Sequence, residues 1–268
     1  MLKQTLPLLL LLLFVFGCSK SPYRTTNKVY KQQAKTFANV LKQYPLIDSV
    51  FGNTEFVGTT NFGMRKPNFV IIHHTAQNSC VQTLKTFTTK VSQVSAHYVI
   101  CKNGTVHHML NDYLRANHAG VSKWGNTVDL NSASIGIEID NNGFEKFTDD
   151  QINSLLTLLG NLKKAYNIPT ANFIGHSDIA PTRKVDPNIY FPWKTLAQKG
   201  FGLWQDETIT AKVDSNFNHI QALRIIGYDV KDTSAAIRAF KRHFMQDSTK
   251  KINDADKLTL QNLYRKYM

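Results

Sequence analysis

Asn68-Phe69-Val70-Ile71-Ile72-His73-His74-Thr75 is an apolar, β-branched run that ends in two histidines. Such a run predicts a buried strand. A second run, Ser134-Ile135-Gly136-Ile137-Glu138-Ile139-Asp140, predicts another and carries a glutamate near its end. The segments around them have other periods. Val81 to Val91 reads as a helix. His97 to Lys102 and Thr105 to Leu110 read as strands joined by Asn103-Gly104, a pair that predicts a two-residue type I′ turn. Thr148-Asp149-Asp150-Gln151 has the spacing of a capping box and opens a helix reaching Tyr166. Asn172 to Gly175 is a short strand, and a loop rich in Pro, Asp and Arg runs from there to Trp193. Strands alternating with helices predict an α/β domain with one central sheet, over residues 46–202.

After Leu203 the strand signals fade. Helical stretches near Asn216 to Ile226, Ser234 to Met245 and Asp254 to Tyr267 predict a small all-α, three-helix domain over residues 203–268.

At the other end, Lys3 precedes an apolar run from Leu6 to Phe16. The run is too short to span a bilayer and has the length of a signal-peptide core. It ends in Val15-Phe16-Gly17-Cys18, which resembles a bacterial lipobox. The resemblance implies a signal peptide over residues 1–17 and a lipid-carrying Cys18. An ordinary secretory signal cut after Gly17 is the alternative. Ser19 in place of an acidic residue favours, by the sorting rule this resembles, the outer membrane, with the protein facing the periplasm. Residues 18–45 read as a tether followed by a lead-in helix from Lys28 to Tyr44, stopped by Pro45. The formal charge of +13 on 268 residues suits a polyanionic partner. Export argues against nucleic acid and leaves an anionic membrane surface or the carboxylates of peptidoglycan. Export also places Cys80 and Cys101 where thiols oxidise. Pairing between them, or burial as two small hydrophobic side chains, both remain open.

Several chemically capable residues sit at predicted strand ends or in one loop. His73 and His74 end one strand, Glu138 lies near the end of another, and Gly175-His176-Ser177-Asp178-Ile179-Ala180-Pro181 and Arg183-Lys184-Val185-Asp186-Pro187 flank a single loop. A catalytic zinc takes three ligands from histidine and carboxylate and keeps one position for water. His176 and Asp186 can fold back onto a common point. Neighbouring strand residues face opposite ways, so only one of His73 and His74 can join them. Glu138 on an apolar strand has the setting of a general base with a raised pKa. Lys184 offers a cation to a developing oxyanion. Each residue taken alone also fits a structural role: a hydrogen-bonded core histidine, a paired charge, a solvated lysine.

Taken together and in order, these segments resemble the N-acetylmuramoyl-L-alanine amidase type 2 family, over roughly residues 50 to 200. Val94-Ser95-Ala96-His97-Tyr98 and His118-Ala119-Gly120-Val121-Ser122-Lys123-Trp124 belong to the same resemblance. Asp186 follows His176 by ten residues, as in the lipoprotein and murein-recycling branch; the phage branch has a cysteine there. The resemblance implies a central mixed sheet flanked by helices. It implies one Zn2+ per chain on His73, His176 and Asp186, Glu138 as acid/base and Lys184 as the oxyanion partner. His97 falls beside the site, not as a ligand, and is expected either to face the substrate or to support the ligands from behind; His118 falls in a loop expected to border the substrate groove. His107 and His108 match nothing in the family and are expected on a surface hairpin. The segments Ala222 to Asp229 and Ala235 to Phe244 resemble the three-helix peptidoglycan-binding domain; a generic bundle packed on the enzyme is the alternative.

The implied activity is zinc-dependent hydrolysis of the amide between the lactyl group of N-acetylmuramic acid and L-alanine, in peptidoglycan or muropeptides, by a monomer. The alternative is a non-catalytic, lipid-anchored peptidoglycan receptor or tether. On this reading the C-terminal module is detachable: a chain ending near Gly202 is expected to bind murein sacculi less well yet cleave a soluble muropeptide about as fast.

Overall fold

The computed structural model describes residues 21–42, 58–207 and 212–267. Cys18, the signal peptide and Pro45 lie outside these residues. Among the described residues no helix is long and apolar enough to cross a membrane. The chain divides into an N-terminal unit ending at Phe62 and a unit from Gly63 to Met268.

The N-terminal unit contributes α1 (Arg24–Leu41), in which no residue is buried. It begins within the stretch expected to be a tether. The Thr26 hydroxyl donates to the Tyr23 carbonyl, so the polar residues there close the first turn.

The second unit runs β1 (Phe69–His74), α2 (Cys80–Thr88), β2 (Tyr98–Ile100), β3 (Val106–His108), α3 (Leu130–Ala133), β4 (Ser134–Ile139), α4 (Asp149–Tyr166), β5 (Phe173–Gly175), α5 (His176–Ile179), α6 (Trp193–Gln198), α7 (His219–Ile226), α8 (Thr233–Met245) and α9 (Asp254–Tyr267). The five strands form one mixed sheet in the order β3-β2-β4-β1-β5. The pairs β2·β4, β4·β1 and β1·β5 are parallel, and β3 is antiparallel to β2. Register sets His73 beside Glu138, so both project from the same face at the C-terminal end of the sheet.

On the opposite face α4 buries Leu155, Leu159 and Leu162 against Val70, Ile72, Ile135, Ile137 and Ile139. Each such leucine contributes about 1.5–3 kcal/mol. The Thr148–Gln151 capping box is formed, acidic residues occupy the first turn, Lys163 and Lys164 the last, and Asn167 closes the helix in the left-handed region. The site-bearing face packs Phe69, Ile71 and Ile174 against Ala119, Leu130, Ile179 and Ala180.

The hairpin after β2 is not type I′. Cys101 N–H donates to Thr105 O and Gly104 N–H to Cys101 O, and of Asn103 and Gly104 only the glycine has a positive φ, 76°. That is a three-residue loop, a turn closed by a left-handed glycine. Cys80 and Cys101 form a disulfide that ties the start of α2 to the end of β2. Closing a loop of this length contributes about 3 kcal/mol in the chain-entropy account.

The three C-terminal helices surround Leu223, Ile226, Ala236, Phe240, Leu260 and Leu263. Asn218 and Asp232 cap α7 and α8 by accepting from Gln221 N–H and Ala235 N–H. This bundle is fused to the sheet domain. Trp124 packs in both cores, Gly125 N–H donates to Gly227 O at 2.8 Å, and Arg238 donates to Pro181 O. A Cβ on Gly227 would lie 2.5 Å from the Trp124 ring, so that close approach needs glycine.

Candidate metal centre

His73 is the penultimate residue of β1, and His176 opens α5 directly after β5. The loop beyond α5 folds back through a bond from Ser177 N–H to Asp186 O at 2.7 Å. Three side chains meet as a result. His73 Nδ1 lies 2.9 Å from His176 Nδ1 and 3.1 Å from Asp186 Oδ2, and His176 Nδ1 lies 2.9 Å from the same oxygen. All three residues are buried. His74 points away and lies apart from them, its Nδ1 buried without a partner.

The surrounding bonds decide where the protons are. The Ser134 hydroxyl donates to Leu130 O, so its oxygen accepts from His118 Nε2–H at 3.2 Å. Burial, then the neighbouring His73 and His97, push the His118 pKa well below the usual histidine value. The neutral ring therefore presents its Nδ1 lone pair to His73 Nε2–H, 3.0 Å away. Burial, with His176 beside it, pushes His73 down to about 4, against the pull of Asp186. His73 is thus neutral and its Nδ1 carries a lone pair. His176 donates Nε2–H to Ala119 O at 3.0 Å, so in the neutral ring Nδ1 is free as well. Burial alone raises a carboxyl, but His176 and His73 hold Asp186 well below the usual range.

With both rings neutral, two ring lone pairs and a carboxylate oxygen converge, an arrangement that needs a proton or a cation between them. A cation satisfies all three, and a set of two nitrogens and one carboxylate suits zinc. The donor chemistry fits the metal that the sequence implied.

Glu138 sits beside this set. Its Oε1 is 3.9 Å from His73 Nδ1, and its Oε2 is buried without a partner. Burial, then Asp186, push its pKa up to about 8, while Lys184 pulls the other way. The Lys184 charge acts on both Glu138 and His73.

Of the two histidines expected near the substrate, His97 takes the supporting place, packed against His118, and both side chains are buried. His97 is fully buried: its Nδ1 accepts from Gly136 N–H at 3.0 Å and its Nε2–H donates to Leu114 O at 3.0 Å. His118 lies behind His73 as its hydrogen-bond acceptor. It gets there because residue 136 is glycine, where a Cβ would sit 2.4 Å from the imidazole. Asn131 Oδ1 fixes the backbone by accepting from His118 N–H and Ala119 N–H. His108 stands on the hairpin as expected, stacked on Tyr98 and paired with Asp112. Asn131, Ser134 and the Ala119 carbonyl, which complete the centre, carry no motif of their own.

A family model described as N-acetylmuramoyl-L-alanine amidase matches residues 63–189. The N-acetylmuramoyl-L-alanine amidase AmiD of Escherichia coli (strain K12) is 34% identical over 206 residues, covering 65% of this chain and 74% of its own. The 1,6-anhydro-N-acetylmuramyl-L-alanine amidase AmpD of Haemophilus influenzae is 41% identical over 103 residues, 38% of this chain and 56% of its own. Among solved structures, E. coli AmiD in complex with its substrate anhydro-N-acetylmuramic acid-L-Ala-D-γ-Glu-L-Lys superposes with a TM-score of 0.68 at 29% identity, over 78% of this chain and 93% of that one. AmpDh3 of Pseudomonas aeruginosa, bound to an anhydromuramic pentapeptide, gives 0.70 at 28% identity, over 83% and 98%.

Proposed function

The chain belongs to the N-acetylmuramoyl-L-alanine amidase family, and from that premise we propose that it is a zinc-dependent amidase. Its substrate is peptidoglycan or a muropeptide, the anhydro form included, cut between the lactyl carbonyl of N-acetylmuramic acid and L-alanine. The observation that carries this reading is the convergence of His73 Nδ1, His176 Nδ1 and Asp186 Oδ2 within 3.1 Å of one another, next to a buried carboxyl with a free oxygen.

Zinc, when bound there, supplies Lewis-acid polarisation of the carbonyl and a more acidic water. The chain's own groups do the rest. Glu138 accepts the proton of the attacking water and delivers it to the departing L-alanine amine, so one carboxyl serves both halves of the reaction. Lys184 offers its cation to the oxyanion of the tetrahedral intermediate. His118 and the Ala119 carbonyl hold the two imidazoles in the tautomers that leave Nδ1 free.

The rest of the assignment follows the sequence. Cys18 carries a lipid anchor that holds a monomer at the outer membrane, facing the periplasm. The C-terminal helices add contacts to the wall polymer. A receptor or tether has no use for a buried, partnerless Glu138 oxygen beside a complete ligand set, which favours the enzyme. The deciding experiment is digestion of purified murein with the soluble protein. Products shortened by loss of the whole stem peptide at the lactyl amide, identified by mass, are expected. Murein and a soluble anhydro-muropeptide both left intact, or cleavage within the peptide or glycan, overturns the assignment.

A further inference from the structure

α5 has four residues, His176–Ile179, and its first is the proposed zinc ligand. One turn of helix does not hold itself in water. Asp178, in the middle of that turn and 1% exposed, is the point at which it is gripped. Its Oδ2 accepts from Gly175 N–H at 2.8 Å, the backbone group just before His176. The same oxygen accepts from His243 Nδ1–H at 2.8 Å, and Oδ1 accepts from the Tyr228 hydroxyl at 2.9 Å. Both of the latter donors come from the C-terminal helical region. The His243 ring is clamped in turn. It stacks on Trp193, centroids 3.9 Å apart and planes 12° apart, and on Phe244 at 4.3 Å. Trp193 belongs to the core beneath the sheet. The bundle and the sheet domain thus hold one imidazole between them, and that imidazole holds the turn.

Packing alone does not require this chemistry. An apolar side chain at position 243 would fill the same space, and a buried polar link gives little net stability over one. What the polar link adds is direction, because a hydrogen bond fixes where the Asp178 carboxylate sits.

We infer that His243 is a positioning residue for His176: through Asp178 it sets the turn that delivers the His176 ring to His73 and Asp186. The C-terminal helices are on this account part of the metal centre's scaffold, whatever they bind outside it. The inference rests on the assignment of His176 as a zinc ligand.

The test uses the full chain and chelator competition for zinc, with kcat and KM on a soluble muropeptide. His243→Phe keeps a stacking ring and removes the donor; His243→Asn keeps a donor near the Nδ1 position and removes the ring. His243→Phe is expected to hold zinc about tenfold less tightly and to lose kcat with KM little changed, while His243→Asn retains most of the wild-type affinity. Melting of the metal-free proteins is the control, since general loss of packing lowers it more in the Asn variant. Should the Phe variant not fold, Tyr228→Phe removes the other side-chain donor to Asp178 and is expected to weaken zinc several-fold. Zinc held equally by wild type and a folded donor-lacking variant overturns the inference alone. Zinc absent from wild type overturns the ligand assignment with it.

Discussion

His73 Nε2 lies 3.0 Å from His118 Nδ1, and this bond orients the proposed ligand. His118 accepts from Nε2–H on the far side of the His73 ring, so the neutral ring leaves Nδ1 free towards His176 and Asp186. The acceptor is itself fixed by Ser134, whose hydroxyl is committed to Leu130 O. The bonds run in one direction, from His73 through His118 and Ser134 to the backbone.

Replacing His118 by alanine strips His73 of that acceptor in a buried site. The cost expected is about 10- to 100-fold in zinc affinity, the usual effect of losing a partner of a ligating histidine. Chelator competition measures it. Affinity equal to wild type would show that the His73 tautomer is fixed without His118.

Glu138→Gln keeps the shape of the side chain and removes the base. Zinc content and melting are expected to stay close to wild type while turnover falls by about a hundredfold or more. His176→Ala is expected to do the reverse in metal analysis and lose the zinc. Near-normal hydrolysis by the Gln variant would move the base to another residue.

The C-terminal bundle has its own electrostatic anchor. Lys241, 4% exposed at its side chain, pairs with Asp256 at 2.8 Å and Asp247 at 2.7 Å. The bond from Lys241, joined by bonds from Thr249, lowers the Asp247 pKa from 3.8 to about 2. A carboxyl depressed on folding adds stability that is fully present above 3.8 and is lost as pH falls through about 2. Asp247→Asn is therefore expected to melt below wild type at pH 6, with the gap closing towards pH 2. The gap is small, because Asp247 is partly exposed and screened by solvent. A gap that widens in acid contradicts the sign.

The proposed lipid anchor depends on Cys18. Cys18→Ala is expected to leave the membrane fraction, or to stay there only as the uncleaved precursor. Membrane recovery with the size and amount of the processed wild type would exclude the anchor.

The parts of this arrangement differ in how far they can be read from residues alone. β1 and β4 stand out because each is a continuous apolar run, and α4 because its cap, its charges and its leucines agree. That His73 and Glu138 are neighbours is a matter of strand order, which no local pattern states. Asn103-Gly104 marked a turn correctly and its type wrongly, since the same pair serves two- and three-residue loops. The Cys80–Cys101 bond depends on a Cα separation of 5.3 Å that only the fold provides. The roles of His97 and His118 stay open in sequence for a related reason: a motif fixes where a histidine sits in the chain, while its direction depends on space left by Gly136 and on acceptors at Leu114 and Ser134. The link from Asp178 to His243 spans 65 residues and has no signature in either segment.

The same link changes what removal of the C-terminal helices should do. Read from sequence, the helices form a detachable module, and a chain ending at Gly202 keeps its activity on a soluble muropeptide. The structure couples the two parts at several points. Trp124 and Tyr228 pack edge to face at 5.0 Å, Arg238 donates to Pro181 O, and His243 and Tyr228 supply two of the donors to Asp178. Truncation uncovers Trp124 and Trp193 and leaves the Asp178 carboxylate without those donors, two residues from a proposed ligand. Exposed aromatic surface of that kind favours aggregation, and a buried carboxylate stripped of donors shifts or disorders its turn. A chain ending at Gly202 is therefore expected to lose turnover on a soluble muropeptide and on sacculi alike, and to hold zinc less tightly. Rates on both substrates, zinc content and cooperative melting of the truncated chain measure this together. If the shortened chain melts cooperatively, keeps its zinc and cleaves the soluble substrate at the full-length rate while sedimenting less with sacculi, the helices are a detachable wall-binding module and the coupling through Asp178 has no part in the chemistry.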